Sequence, residues 1–316
     1  MISKRRCFIT GIKSTELSKR EIIFLKKYKP WGVILFSRNI KTILQTQKLT
    51  SNIKKIFNDK NYPILIDEEG GKVSRLKKFI DNSIFSSESF GNLFIKDKKK
   101  FLIYYRIYIK QISYLLNLLG VNINTMPVLD VRRNITNKVI GNRSFSNNPK
   151  IVSKLGRICI NEFHKNRIAT IIKHIPGHGL SRQDSHKKLP IVNQNIKLLN
   201  SVDFYPFKKQ NSYVAMTAHI IYKSIDSKNT ATHSKKIIKI IRDKIGFKNL
   251  ILSDDISMKA LKFSVKKNTT KAFIAGCNLV LHCNGKFDEM LTVAKNSPLL
   301  SKFVEKKTSQ LLNIIR

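Results

Sequence analysis

The chain has 316 residues, enough for one large barrel or two ordinary domains, and its 42% hydrophobic content excludes a disordered chain. A formal charge of +40 raises the question of nucleic acid, yet the lysines are spread along the whole chain, often in pairs such as Lys187-Lys188 and Lys235-Lys236. With no RNP, zinc-finger or arginine-rich segment beside them, they read as a bias toward Lys, Ile and Asn, with nonspecific adhesion to polyanions at low salt and no specific nucleic acid as partner.

The opening MISKRRCFITGIKS holds basic residues but no apolar run long enough for a signal peptide, and a first strand is expected at residues 7–9. A second follows at 32–36, then a helix whose apolar residues Leu49, Ile53, Ile56 and Phe57 share one face, then a third strand at 64–66. Gly70-Gly71 reads as a tight turn, not a phosphate cradle. The most apolar helix, over residues 101–119, is interrupted by Arg106, Lys110, Gln111 and Asn117 and closed by Gly120. A spanning helix needs ~20 mostly apolar residues, so this one reads as a buried amphipathic helix and no membrane association is expected.

A fourth strand is expected at 121–124, a helix through Val152, Leu155, Ile158, Cys159 and Phe163, and further strands at 169–172, 213–217, 250–252 and 279–281. Continuous apolar strands alternating with helices indicate a parallel sheet covered on both faces. Eight such units, with no Gly-rich phosphate loop, repeat or linker, fit an α/β fold of the (β/α)₈ TIM-barrel class over residues 1–316 as a single domain. Four scattered cysteines without a CxxC pair fit a reduced, cytoplasmic protein.

Barrel chemistry belongs at the C-terminal strand ends. Asp67 follows the third expected strand, Lys173-His174 the fifth, His219 the sixth and Asp254 the seventh. Of the 20 acidic residues, seven (Asp67, Glu68, Glu69, Asp130, Asp184, Asp254 and Asp255) fall in four short segments beside strand ends, where a purely solubilising role would scatter them.

The densest segment is KHIPGHGLSRQDSH at 173–186, three histidines, a lysine and an aspartate on one loop. In chain order the sequence also carries GVILFSRN at 32–39, IDEEGGKVSRL at 66–76, PVLDV at 127–131, IGNRSF at 140–145, MTAH at 216–219, SDDISMKA at 253–260 and AGCNLVLHCN at 275–284. Together these resemble family 3 glycoside hydrolases, in particular the single-domain bacterial β-N-acetylglucosaminidases of peptidoglycan recycling, over nearly the whole chain. The resemblance implies a retaining glycosidase with Asp254 as nucleophile, His186 as acid/base and Asp184 orienting the imidazole. It implies sugar binding by Asp67, Arg75, Arg143, Lys173 and His174, no cofactor or metal, and a peptidoglycan-derived amino-sugar oligosaccharide or muropeptide as substrate of a monomer. Larger family members take an acid/base glutamate from a second domain; here the DSH loop is expected to supply the donor.

Departures from the family pattern are Asn142, Glu68, Lys72 and Ile175, and Glu68 is expected to add negative charge beside the sugar site. Other residues have plainer readings. His178 holds its loop through backbone bonds, His219 is a core histidine, Asp255 is structural, and Asp130 and Glu69 brace loops. His164 and His233 read as surface; His282 is left open. Three alternatives stay open: a metal-dependent barrel hydrolase using His174, His178, His186, His219 and Asp254, although HIPGH cannot form the HExxH helix of such sites; a phosphorylase at the same site; and a basic nucleic-acid-binding protein without catalysis.

Overall fold

The computed structural model describes residues 4–134, 136, 140–181 and 189–315. The strands, in chain order, are β1 (Arg6–Gly11), β2 (Pro30–Leu35), β3 (Ile64–Ile66), β4 (Ile123–Asn124), β5 (Ala169–Ile175), β6 (Ile191–Val192), β7 (Val214–Thr217), β8 (Ile221–Tyr222), β9 (Leu250–Asp255) and β10 (Leu279–His282). All except β6 and β8 close a parallel barrel in the order β1-β10-β9-β7-β5-β4-β3-β2. The eight-stranded barrel read from the sequence is therefore the fold. β6 and β8 pair with each other as a small parallel sheet that the sequence did not announce.

The helices are α1 (Lys19–Tyr28), α2 (Ile43–Phe57), α3 (Ser87–Lys96), α4 (Lys98–Leu118), α5 (Pro149–Lys165), α6 (Ile196–Leu198), α7 (Lys235–Asp243), α8 (Val265–Ala275), α9 (Phe287–Lys295) and α10 (Lys302–Ile315). Local chemistry fixes several starts. At α1 the Ser18 hydroxyl accepts from the Glu21 amide at 3.2 Å while the Glu21 carboxylate accepts from the Ser18 amide at 2.9 Å. Asn148 caps α5, and Pro149 supplies its preset first position. Among the described residues no helix is long and apolar enough to cross a membrane.

Strand alternation separates two cores. Ile9, Leu65, Ile171, Val214, Met216, Leu252 and Leu281 fill the barrel, whereas Phe8, Ile64, Ile172, Ala215, Ile251 and Val280 pack outward against the helices. α10 closes the end of the barrel opposite the strand C-termini: Leu311, Leu312 and Ile315 join the interior cluster, and the buried Trp31 indole donates to Thr308 Oγ1 at 2.8 Å. Each such buried apolar side chain contributes about 1.5–3 kcal/mol.

Two strand bounds differ from expectation in a way that matters. β5 continues through Lys173 and His174, and β9 through Asp254 and Asp255, so these residues lie within strands and not after them. Hydropathy marks where an apolar run stops, but the ladder is a backbone pattern; it carries on into polar residues because Lys173 pairs with Met216 and Leu281 with Asp255.

Candidate active site

At the C-terminal mouth of the barrel a cavity of about 280 Å³ is lined by Asp67, Arg75, Arg143, Lys173, His174 and Asp254, together with Phe36, Thr125, Met258 and Cys283. Adjacent strand residues normally face opposite ways. A register shift between Lys173 and Ile175, and another opposite Asp255 on β9, break that alternation and bring Lys173 with His174, and Asp254 with Asp255, to the same cavity. A larger depression of about 730 Å³, lined by Lys54, Lys55 and Lys60 near the ends of α2 and α4, contains none of the candidate residues.

Asp67 is the hub. Its Oδ1 accepts from Lys173 Nζ at 2.5 Å and from the Thr125 hydroxyl at 2.6 Å, and its Oδ2 from Arg75 Nη2 at 3.0 Å. Burial works against its charge, but Lys173, Arg75 and Arg143 outweigh that and hold its carboxyl well below the usual range. Behind it, Glu69 pairs with Arg143 through both oxygens, at 2.7 and 2.8 Å, and with Lys173 Nζ at 2.5 Å. Arg143, Glu69, Lys173, Asp67 and Arg75 thus form a row of alternating charges. Paired this way, the cations keep fixed geometry without an uncompensated buried charge.

On the other side, the His174 ring places Nδ1 2.7 Å from Asp130 Oδ2. The fully buried Asp130 also accepts from the His174 and His178 amides, at 3.2 and 2.7 Å. Burial opposes its charge, and His174 and His178 more than offset this, so Asp130 stays ionised. An ionised carboxylate can only accept, so Nδ1 carries the proton and Nε2 is left for a ligand.

Asp254 enters from β9, where its Oδ1 accepts from the Asp255 amide at 2.7 Å. His219 steadies the same stretch. Its Nε2 lies 3.0 Å from the Asp255 carbonyl and its Nδ1 2.7 Å from Thr232 Oγ1, and burial pushes its pKa down, so it is a neutral donor with both nitrogens engaged. That leaves no lone pair for a metal, and among the described residues no group of three or more His, Cys, Asp or Glu is arranged to hold one.

The structure therefore gathers Asp67, Arg75, Arg143, Lys173, His174 and Asp254 in one cavity, while Asp184 and His186 lie outside the described residues. The observed bonds match the readings of Asp130 and Glu69 as braces, Asp255 as structural and His219 as a core histidine; Asp255 accepts from the Ser257 and Cys283 amides at 3.0 and 3.3 Å. Gly70 and Gly71 have φ of +79° and +58°, and a Cβ on Gly70 would stand 2.4 Å from the Phe85 carbonyl, so the turn requires glycine.

Three readings are corrected. Glu68 does not add charge beside the cavity; it turns into its own loop and accepts from the Arg75 and Leu76 amides, Ser74 and Asn82, and burial raises its pKa. His233 is not at the surface: it lies buried in a 3₁₀ turn ahead of α7, with Nε2 3.1 Å from the Asn268 carbonyl. His164 is half-buried, bonded to Thr170 Oγ1 at 3.0 Å. His282 is fully buried against Glu289. Phe36, Met258, Cys283 and Thr125 were not singled out from the sequence. The first three sit inside the quoted motifs, and Thr125 directly follows β4, so the strand-end rule would have found it.

A model of the glycosyl hydrolase family 3 N-terminal domain matches residues 10–314. A beta-hexosaminidase of Neisseria meningitidis is 33% identical over 264 residues, covering 80% of this chain and 71% of that protein. One from Hydrogenovibrio crunogenus is 32% identical over 297 residues, covering 90% and 81%. Among solved structures, NagZ from Neisseria gonorrhoeae in complex with N-trifluoroacetyl-D-glucosamine superposes with a TM-score of 0.85 at 28% identity, covering 99% of this chain and 90% of that one.

Proposed function

The chain belongs to glycosyl hydrolase family 3 and is a glycoside hydrolase, and from that premise we propose that it is a retaining β-N-acetylglucosaminidase that removes terminal N-acetylglucosamine from peptidoglycan fragments. The observation that carries the proposal is the meeting of Asp254 with Asp67, Arg75, Arg143, Lys173 and His174 around one cavity of about 280 Å³, near the lower end of the range for ligand pockets. Relatives named beta-hexosaminidase, and a structural neighbour solved with an N-acylated glucosamine analogue, support the choice of sugar.

In this reading an Asp254 oxygen attacks the anomeric carbon, forming a glycosyl ester as the bond to the aglycone oxygen breaks, and the His186 imidazolium gives that oxygen its proton. Neutral His186 then takes a proton from water, whose oxygen attacks the anomeric carbon and releases Asp254. Asp184 orients the imidazole and stabilises its charged form. Asp67 accepts from sugar hydroxyls, Arg75, Arg143 and Lys173 donate to hydroxyl or carbonyl oxygens, and His174 accepts from a sugar hydroxyl through Nε2. The enzyme acts as a monomer in the cytoplasm, a setting that its four unpaired cysteines suit.

The test is turnover of an aryl N-acetyl-β-glucosaminide beside the plain aryl β-glucoside. The N-acetyl substrate is expected to be cleaved at least about a hundredfold faster in kcat/KM. Equal turnover would sink the sugar assignment, and none on either substrate would sink the reaction.

A further inference from the structure

The outward face of α4 carries a feature that neither catalysis nor packing uses. The helix buries Phe101, Tyr105, Ile109, Ile112 and Leu116 against the barrel. On the opposite side, at about 100° per residue, Ile103, Ile107 and Tyr114 line up as a second apolar stripe, 57%, 50% and 67% exposed. Lys99, Lys100, Arg106 and Lys110 are also exposed and border that stripe. The helix sequence KKKFLIYYRIYIKQISYLLNL has no acidic residue; among the described residues the acids paired to these cations are Asp97, whose Oδ2 lies 3.9 Å from Lys100 Nζ, and Glu162 of α5, whose Oε1 lies 3.4 Å from Arg106 Nε.

Isolated exposed apolar residues are ordinary. A stripe of three, set diametrically opposite the buried face and bordered by cations, needs a partner that takes both. Nucleic acid would use the cations but has no use for exposed isoleucines. A second copy of the chain would bring the same lysines face to face, and like charges across an interface are costly. An anionic bilayer satisfies both groups at once. Isoleucine and tyrosine enter the boundary between headgroups and acyl chains, while lysine and arginine stems lie along it with their charges at the lipid phosphates. We propose that the outward face of α4 is a peripheral docking surface for an anionic lipid bilayer. The helix lies on the barrel flank, so docking leaves the mouth open. The expectation of no membrane association narrows to the absence, among the described residues, of a spanning helix.

The experiment is flotation with vesicles of phosphatidylcholine, alone or mixed with phosphatidylglycerol, comparing the intact chain with the triple variant Ile103→Ser, Ile107→Ser, Tyr114→Ser, which keeps every charge. At about 0.5 M salt, where screening removes most long-range attraction, the chain should still float with the mixed vesicles. The triple variant should bind at least roughly tenfold more weakly, with an unchanged melting temperature showing that its fold is intact. In a second arm, Ile107→Trp should show a blue-shifted emission on mixed vesicles but none on heparin or RNA; the native Trp31 is buried and does not report on this face. If the triple variant floats like the wild type, if salt releases the chain from vesicles and from RNA alike, or if the chain never floats, the proposal is overturned.

Discussion

Glu69 is 3% exposed and is not part of the cavity lining, yet both Arg143 and Lys173 take their positions from it. Glu69→Gln should leave two buried cations short of a partner, costing about 3–5 kcal/mol in denaturant unfolding, and should raise KM for the aryl N-acetyl-β-glucosaminide. Unchanged stability would show that the row of charges is dispensable. The proposed catalytic pair is tested by leaving-group dependence. Asp254→Ala should lower kcat on the order of 10⁴-fold or more on every substrate. His186→Ala should lose about 10²–10⁴-fold on poor leaving groups and much less on activated aryl glycosides; equal losses on both would remove His186 as proton donor. At this scale the sequence made Asp67, Lys173, His174 and Asp254 legible because each stands at the end of an apolar run. It misjudged Glu68, because nothing local states that its carboxylate has four donors waiting in its own loop. It misplaced His233, because the lysines beside it belong to the exposed side of the next helix.

Among the elements, α10 plugs the barrel base, a role that no local pattern announces. Leu311→Ala should open a cavity there and cost about 2–5 kcal/mol. Because the plug lies at the end remote from the mouth, KM and kcat well below the melting temperature should not change; a shift in KM would mean that the base and the mouth are coupled. The caps of α1 and α5 were not singled out in the sequence, although Ser18 with Glu21 and Asn148 with Pro149 are local signals. The strand ends were not legible, since the extensions of β5 and β9 depend on neighbours far away in the chain. The helix over residues 101–119 was read by its buried face, and its second stripe emerged only once the side facing the barrel was known.

For the molecule as a whole, acidity is the condition under which buried histidines matter. Burial pushes His178, His233 and His164 down to about 4, and lowers His219 as well. In the unfolded chain they titrate near about 6.5, so on acidification the unfolded state takes up protons first. The stability they contribute is full above about pH 6.5 and is lost as pH falls toward about 4. The melting temperature should therefore be level above neutrality and drop across that window, and His233→Gln should flatten part of the drop. A level curve throughout would contradict neutral buried imidazoles. What the sequence by itself determined was the barrel, through eight apolar runs alternating with helices, and the set of polar residues at its strand ends, because periodicity and chain order are local properties. Only the tertiary structure decided which of neighbouring acids faces the cavity and which braces it. Asp67 meets Lys173 across 106 residues of chain, and that meeting follows from barrel closure and from register shifts within strands, which no local pattern encodes.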